Sequence, residues 1–362
     1  AIRARHRLLS LYLAILRSSP ETESGQAQHH CSGIQDKRRL PCRFECVISL
    51  SRSITITLFH VEPLTSIPVD SCPICGHREY FPMHNVQDYH LTKQKFRLVD
   101  CASCGFRFTS PRPRDTDLSA YYESKDYISH NASGRTLITW VYRALRTVAL
   151  RSKASILRKY STNGHILDVG CGTGEFLAHL NRLNYSATGV EPGPRAREAA
   201  IQVHGLQVFS ALEDIPDTLK FQAVTLWHVL EHVSSLVRSI HQYHGLLEKG
   251  GHLLIAVPNR LSWDAQHYGS AWAAWDVPRH LWHFRESDVV ALLSRHGFRV
   301  VASRRMWFDA YYISLLSERY LGRPSLIAWT LALLFGTVSN ITSIFTGRPT
   351  SSSLFVAEKL DP

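Results

Sequence analysis

His165-Ile-Leu-Asp-Val-Gly-Cys-Gly-Thr-Gly174 is the stretch that decides the fold. Ile166, Leu167 and Val169 make a short apolar run, the mark of a buried strand. Gly170, Gly172 and Gly174 alternate directly behind it. The run that follows, Glu175 to Leu183, places Phe176, Leu177, Leu180 and Leu183 on one helical face. Strand, glycine turn and helix together open a nucleotide-type site, because glycine adopts positive φ and admits a ligand where a Cβ would collide. The spacing is G-x-G-x-G behind Asp168, not G-x-G-x-x-G, which points away from a pyrophosphate fingerprint. A tight structural turn is the plainer alternative.

The second strand, Ser186 to Val190, ends in Glu191 and then Pro192-Gly193-Pro194. A carboxylate at this tip is placed to accept both hydroxyls of an adenosine ribose. An exposed loop glutamate would be the plainer reading. The chain here resembles the class I S-adenosylmethionine-dependent methyltransferases. The matching motifs are Asp168-Val-Gly-Cys-Gly-Thr-Gly174, Gly189-Val-Glu191-Pro192 and Trp227-His-Val-Leu-Glu-His232. The resemblance covers about 165 to 305 well and extends to the C-terminus and back to about Asp70. It implies S-adenosylmethionine as cofactor, held by Asp168, Gly170, Cys171, Gly172, Gly174, Glu191 and Pro192. It further implies that the loop after the third strand reads the adenine, through Glu213 or Asp214, and that His228 touches the cofactor. Most relatives carry Asp where the fourth strand here has Gln222, a departure expected to alter one loop bond only.

The rest of the pattern alternates strand and helix. Strands are expected at 165–169, 186–190, 206–209, 221–227, 251–257, 298–305 and 352–358, with a helix capped by Ser234 and stopping at Gly250-Gly251. This predicts an α/β fold: a doubly wound, mostly parallel, seven-stranded Rossmann-like sheet. Ligands of such sheets sit at the carboxyl ends of the strands. There the fourth strand offers His228 and His232, with Glu231 able to orient His232. A near-neutral imidazole is the natural acceptor when a hydroxyl or amine is methylated. A purely structural loop is the alternative. Beyond the fifth strand, Trp272 to Phe284 is dense in aromatic, His and Arg residues. Trp275, Asp276, Arg279 and His280 are its substrate candidates, with His280 a third catalytic candidate; Asp-x-Pro-Arg-His-Leu recurs in close relatives. The alternative is aromatic packing plus an Asp276–Arg279 ion pair.

Upstream, Cys72-Pro-Ile-Cys75-Gly and Cys101-Ala-Ser-Cys104-Gly lie 25 residues apart. Four thiolates in two knuckles suit a tetrahedral structural Zn2+, and the glycine behind each pair argues against a helix-opening redox dithiol. An N-terminal zinc ribbon also fits the resemblance. Paired cysteines beside a nucleotide-type site suit a reducing, cytoplasmic setting more than a disulfide framework. The expected organisation is an arm over 1–65, a ribbon over 70–110, a linker and lid segment over 111–160, and a catalytic domain over 161–362. The arm is Arg-, Ser- and Gln-rich and is expected to be poorly ordered, with Leu8–Leu16 mimicking a signal peptide but too short to span a bilayer. It contains no methionine, which suggests a truncated or over-extended reading frame; a targeting presequence is the rival. Tyr121, Tyr122 and Tyr127 are lid candidates by resemblance, and Thr136–Tyr160 is a basic amphipathic helix. An apolar insert at about 310–346 either covers the active site, packs on a partner subunit, or touches a membrane through 324–346.

The formal net charge of +11 suits nucleic acid, anionic lipid or an acidic metabolite without choosing among them. The leading functional reading is an O- or C-methyltransferase acting on a small-molecule or lipid-linked acceptor, with Cys171 too plainly a small packing residue to be a nucleophile. An RNA methyltransferase is the second reading, not favoured, because no Lys/Arg tract interleaved with stacking aromatics appears beyond the 143–159 helix. An NAD-linked oxidoreductase is disfavoured by the glycine spacing. A non-catalytic cofactor-binding scaffold is the remaining alternative.

Overall fold

A computed structural model describes residues 66–122, 137–162 and 164–361, with helix side chains from Arg146 onward. The expectations for residues 1–65 and for Tyr127 fall outside this set. The described strands are β1 (Ser66–Ile67), β2 (Tyr80–Gln87), β3 (Lys95–Cys101), β4 (Arg107–Thr109), β5 (Arg112–Pro113), β6 (His165–Val169), β7 (Ser186–Val190), β8 (Gln207–Phe209), β9 (Phe221–Trp227), β10 (Leu247–Pro258), β11 (Trp282–His283), β12 (Phe298–Met306) and β13 (Ser352–Lys359). The helices are α1 (Leu137–Leu157), α2 (Glu175–Arg182), α3 (Pro194–His204), α4 (Leu236–Leu246), α5 (Trp263–Tyr268), α6 (Glu286–Arg295), α7 (Asp309–Tyr320) and α8 (Ser325–Thr346).

Seven strands form one sheet in the order β12-β13-β10-β9-β6-β7-β8. The pairs β8–β7, β7–β6, β6–β9 and β9–β10 are parallel, and β13 runs antiparallel to both neighbours. The central strands are apolar on both faces because both faces are covered. Leu167, Val169, Leu226 and Ile255 pack towards α4 and α6, with Leu236, Ile240, Val289 and Leu292. Ile166, Leu254, Ala256 and Val356 pack on the other side against Ala154 and Leu157 of α1 and Phe176 and Leu180 of α2. Burying one such aliphatic side chain fully is worth about 1.5–3 kcal/mol, so alternation along these short strands fixes which residues face which layer. The expected sheet is therefore present, with its edges within a few residues of those read from sequence.

Two local expectations need correction. Ser235, not Ser234, precedes α4, and its side chain makes no capping bond. The helix stops at Leu246 and β10 starts at Leu247, upstream of Gly250-Gly251, because Leu247 already pairs with Phe221 before a register shift. Gln222 is held by Ser161, whose hydroxyl donates to its side-chain oxygen.

The cysteine module is more tightly built into the protein than a separate ribbon. Its sheet has the order β11-β4-β3-β2, so the outer strand comes from the loop after β10. Trp282 pairs with Phe108, and His283 with Arg107. Phe106 and Phe108 pack with Trp282 and Phe284 in the main core. Arg285 and Arg260 donate to the Cys104 and Gly105 carbonyls, at 2.8 and 2.6 Å. The strand supplied by residues 282–283 lies 174 to 176 positions from its partners Phe108 and Arg107, out of reach of local sequence reading.

Candidate active site

The parallel strands all end at one edge, which brings Gly170, Glu191, His228 and Asn259 together. Gly170, Gly172 and Gly174 all adopt positive φ, at 69°, 56° and 82°. Among the described residues, a Cβ on Gly172 would meet nothing within 4 Å, so the loop there is open on that side. Behind it the loop is packed: a Cβ on Gly189 would lie 2.6 Å from the Cys171 sulfur. Cys171 is buried, and burial, then Asp168 and Glu191, push its thiol pKa up, so it stays protonated. Its role is packing.

Glu191 is oriented by two backbone donors. The Gly172 N–H donates to Oε2 and the Gly193 N–H to Oε1, both at 2.8 Å. A carboxylate has about four acceptor sites, so two remain for hydroxyl donors. Arg197 holds the adjoining turn by donating to the Glu191 carbonyl at 2.7 Å. Asp168 lies beneath the loop, buried, and accepts from the Thr225 hydroxyl at 2.6 Å. Burial raises its pKa to about 6, against the Thr225 bond and the charge of Lys153. Lys153 of α1 lies over the Trp227 ring, 4.5 Å from its centroid. Burial pulls its pKa down, opposed by Asp168 and Asp309. On the neighbouring loop, Glu213 accepts from Arg238 and Gln242 at 2.9 Å each. Asp214 accepts from the Ser210 hydroxyl and from the Ala211 N–H, closing a short helical turn.

The histidines fall into two electrostatic classes. His228 sits at positive φ, 59°, with its N–H continuing the ladder to the Ala256 carbonyl at 2.9 Å. Its ring lies between two carboxylates: Nε2 is 3.0 Å from Asp309 Oδ2 and Nδ1 is 3.4 Å from Glu231 Oε1. Burial disfavours the charge, but the Asp309 and Glu231 contacts outweigh it and raise the pKa to about 10. His228 is a fixed cation at neutral pH. His232 is the opposite: burial, reinforced by His280, lowers its pKa to about 4. Its Nδ1 lies 3.1 Å from the Arg279 carbonyl and 2.9 Å from the Tyr122 hydroxyl. A carbonyl only accepts and a hydroxyl can accept as well, so the tautomer that meets both contacts has the proton on Nδ1 and the lone pair on Nε2. His280 is fixed likewise, with Nδ1 2.8 Å from the Ala274 carbonyl. Glu231 is fully buried, and neither carboxylate oxygen has a hydrogen-bond partner among the described residues. Its charge faces the cationic His228, with Nδ1 3.4 Å from Oε1, and His280 Nε2 lies 4.0 Å from the same oxygen. Glu231, His232 and His280 bring ligand-type atoms within 4.8 Å of one another, a spacing that also admits a divalent cation.

The Trp272–Phe284 loop covers this cluster. Arg279 is buried; it pairs with Asp276, donates to the Tyr121 carbonyl at 3.2 Å, and lies 3.8 Å from Asp88 of the cysteine module. Its guanidinium is engaged by protein groups, so it braces the loop. Asp276 is held ionised: the Arg279 guanidinium, with His280 and His90, outweighs burial and keeps its pKa far below the usual range. Trp275 is buried and donates to the Gly269 carbonyl at 2.7 Å. The sequence reading overlooked Asp309 and Lys153. Asp309 opens α7, 81 positions from His228, in what reads as an apolar insert, and no local signal marks it.

The four cysteine sulfurs also lie within 4.8 Å of one another, with Cys72–Cys104 at 3.6 Å and Cys75–Cys101 at 3.4 Å. Ligands about 2.3 Å from a tetrahedral zinc are about 3.8 Å apart, so the cluster fits that ion with small adjustment. In both knuckles the residue after the second cysteine donates to the first cysteine's carbonyl: Gly76 to Cys72 at 2.8 Å and Gly105 to Cys101 at 2.9 Å.

Comparison with known proteins gives a consistent picture. Residues 141–303 match the family model described as a methyltransferase domain. Over 112 residues the chain is 35% identical to a mitochondrial ubiquinone biosynthesis O-methyltransferase of Candida albicans, covering 27% of this chain and 34% of that protein. Over 132 residues it is 30% identical to a ubiquinone biosynthesis O-methyltransferase of Xanthomonas oryzae pv. oryzae, covering 33% of this chain and 55% of the relative. The chain thus spans about a third to a half of these relatives. A solved Burkholderia thailandensis 1,6-didemethyltoxoflavin-N1-methyltransferase covers 72% of this chain and 98% of its own, at 17% identity and a TM-score of 0.43.

Proposed function

We propose that this chain, which contains a class I methyltransferase domain, transfers a methyl group from S-adenosylmethionine to a hydroxyl of a small-molecule or lipid-linked acceptor. The observation that carries the reading is the Glu191 carboxylate, held by the Gly172 and Gly193 N–H groups beside a loop that is open at Gly172 among the described residues. Glu191 would take the two ribose hydroxyls, and the Gly170–Gly174 loop would lie against the cofactor where any side chain would intrude. Glu213 and Asp214 each accept two hydrogen bonds through one carboxylate oxygen and keep the other, so either would meet the exocyclic amine of the adenine from this loop. S-adenosylmethionine supplies an already activated methyl, so the protein's work is to position the acceptor and manage one proton.

His232 is the proton acceptor. It is neutral, its Nδ1–H is fixed by the Arg279 carbonyl, and its Nε2 lone pair is available. Glu231, buried beside it, stabilises the imidazolium as it forms. The cationic His228 cannot take a proton; it holds the strand tip and, through Asp309, ties α7 to the crevice. Arg279, Asp276 and Trp275 shape the acceptor side without offering a free guanidinium. Cys72, Cys75, Cys101 and Cys104 would hold a structural zinc, which would fix β2–β4 and, through β11, the covering loop.

The relatives named for ubiquinone O-methylation favour a hydroxylated aromatic acceptor. The test is methyl transfer to a panel of hydroxylated quinone precursors, simple phenols and bulk tRNA, read by mass. Methylation of the phenolic group, lost in His232→Ala with S-adenosylhomocysteine binding retained, supports the proposal. Methylation of tRNA alone, with binding that falls steeply with salt, would replace it with the RNA reading.

A further inference from the structure

Helix α8 is built inside out. Its protein-facing residues are Ala328, Ala332, Gly336, Ser339, Asn340 and Ser343, all buried. Its solvent-facing residues include Leu326, Trp329, Leu333, Leu334, Ile344 and Phe345, with Leu326 79% and Phe345 83% exposed. A helix that packs on a soluble core carries the reverse pattern. Small residues inward and large apolar residues outward is the arrangement of a helix whose other face meets hydrocarbon. The hydroxyls on the outward side are already satisfied: Thr330 donates to the Leu326 carbonyl at 2.9 Å and Thr337 to the Leu333 carbonyl at 2.7 Å. Such back-bonding leaves that face with no unmet need for water. The inward face is anchored by polar bonds, Ser339 to Asp264 at 2.8 Å and Asn340 to the Trp307 carbonyl at 2.9 Å. The helix is long and apolar enough to cross a membrane, but α7 and α5 cover one side of it, so a single face is offered.

Cations flank this face, one of them, Arg323, lying 3.8 Å from the buried Glu318 carboxylate. Between Arg319 and Arg348 there is no Asp or Glu, and Arg319, Arg323 and Arg348 mark its two ends. Past the C-terminal end of α8 lies a cleft of about 860 Å³, whose lining includes Lys159, Arg304, Arg305 and Arg348 with Trp307 and one acid, Glu286. Arg305 lies over the Trp307 ring, and the Nε of Arg304 is buried with no hydrogen-bond partner among the described residues. Four cations, an interfacial tryptophan and an unmet donor next to an apolar helix face match the phosphate layer of an anionic bilayer.

We infer that the outward face of α8 docks on an anionic phospholipid bilayer, with lipid phosphates held in the Lys159–Arg304–Arg305–Arg348 cleft. The inference stands apart from the identity of the acceptor. Asp309, at the start of α7 in the same hairpin, touches His228, so docking would set the crevice beside the membrane.

Flotation of the full chain with vesicles tests this, using phosphatidylcholine alone and phosphatidylcholine mixed with phosphatidylglycerol. S-adenosylhomocysteine binding and circular dichroism report folding for every variant. The wild type should float with the mixed vesicles, and more weakly with neutral ones. Leu326→Ser/Leu333→Ser/Phe345→Ser should lose both. Arg304→Gln/Arg305→Gln/Arg348→Gln should lose the preference for anionic vesicles, on the order of a hundredfold in partitioning, from about three interfacial cations. A folded wild type that floats with neither vesicle overturns the inference. So does a concentration-dependent dimer in sedimentation that the Leu/Phe variant dissolves, which would assign the face to a second copy.

Discussion

Asp309→Asn isolates the electrostatic claim made for His228. The wild-type ring is bracketed by Asp309 Oδ2 at 3.0 Å and Glu231 Oε1 at 3.4 Å, which raises its pKa to about 10. A hydrogen bond to a charged partner is worth about 1.5–3 kcal/mol, and the His228 side chain is 35% exposed. Solvent screening favours the low end, about 1.5 kcal/mol, or about one pKa unit. Asp309→Asn should therefore lower the His228 pKa by about one unit and leave it above neutrality, because Glu231 remains. The sign for stability follows. A pKa raised on folding contributes stability fully below the unfolded value near 6.5 and loses it as pH rises through the folded value. The variant should thus be less stable than wild type by about 1.5 kcal/mol at pH 6, with the gap closing as pH approaches about 10. Nitrogen-detected histidine titration reads the pKa, and urea unfolding at both pH values reads the stability. A wild-type His228 that titrates near 6.5 would refute the reasoning, as would a gap that widens with pH.

Three further outcomes are expected. Gly172→Ala should cost only about 1 kcal/mol of stability, for a side chain at φ 56° with open space around it, yet sharply weaken S-adenosylhomocysteine binding; calorimetry beside thermal unfolding separates the two. The protein should hold one zinc per chain by elemental analysis, and Cys72→Ser or a strong chelator should lower the melting temperature of the whole domain, because β11 joins the module to the core. Acidification should destabilise the fold between about pH 6.5 and 4: His232 and His283 are held neutral by burial, with folded pKa values below those of the unfolded chain, so the unfolded state takes up more protons as pH falls. A flat melting temperature over that range would contradict the assignment.

The sheet was legible because its central strands carry short apolar runs, β6 between Gly164 and Gly170, and because strand and helix alternate. His165–Val169, Ser186–Val190 and Phe221–Trp227 lie where the pattern put them. The glycine loop and Glu191 were legible for the same reason: their chemistry is local, within about one βαβ unit. The rest is non-local. Asp309 reaches His228 from an insert that reads as apolar, and Trp282–His283 completes a sheet begun near Tyr80. The roles within Trp227–His232 were not legible either, since two histidines four residues apart look alike in sequence. Two carboxylates beside one ring, and burial beside His280 for the other, set them at opposite ends of the pH scale. Arg279 looked like a substrate ligand because Asp88, Asp276 and the Tyr121 carbonyl meet it only in three dimensions.

The most direct measurement is calorimetric titration of the full chain with S-adenosylhomocysteine, with NAD in parallel and with a Glu191→Ala variant. The account predicts micromolar-range binding of S-adenosylhomocysteine, no binding of NAD, and a loss on the order of a hundredfold in the variant, from about two charge-assisted hydrogen bonds. A folded, zinc-loaded protein that fails to bind S-adenosylhomocysteine, or a Glu191→Ala variant that binds it unchanged, would contradict the cofactor crevice on which the proposed activity rests.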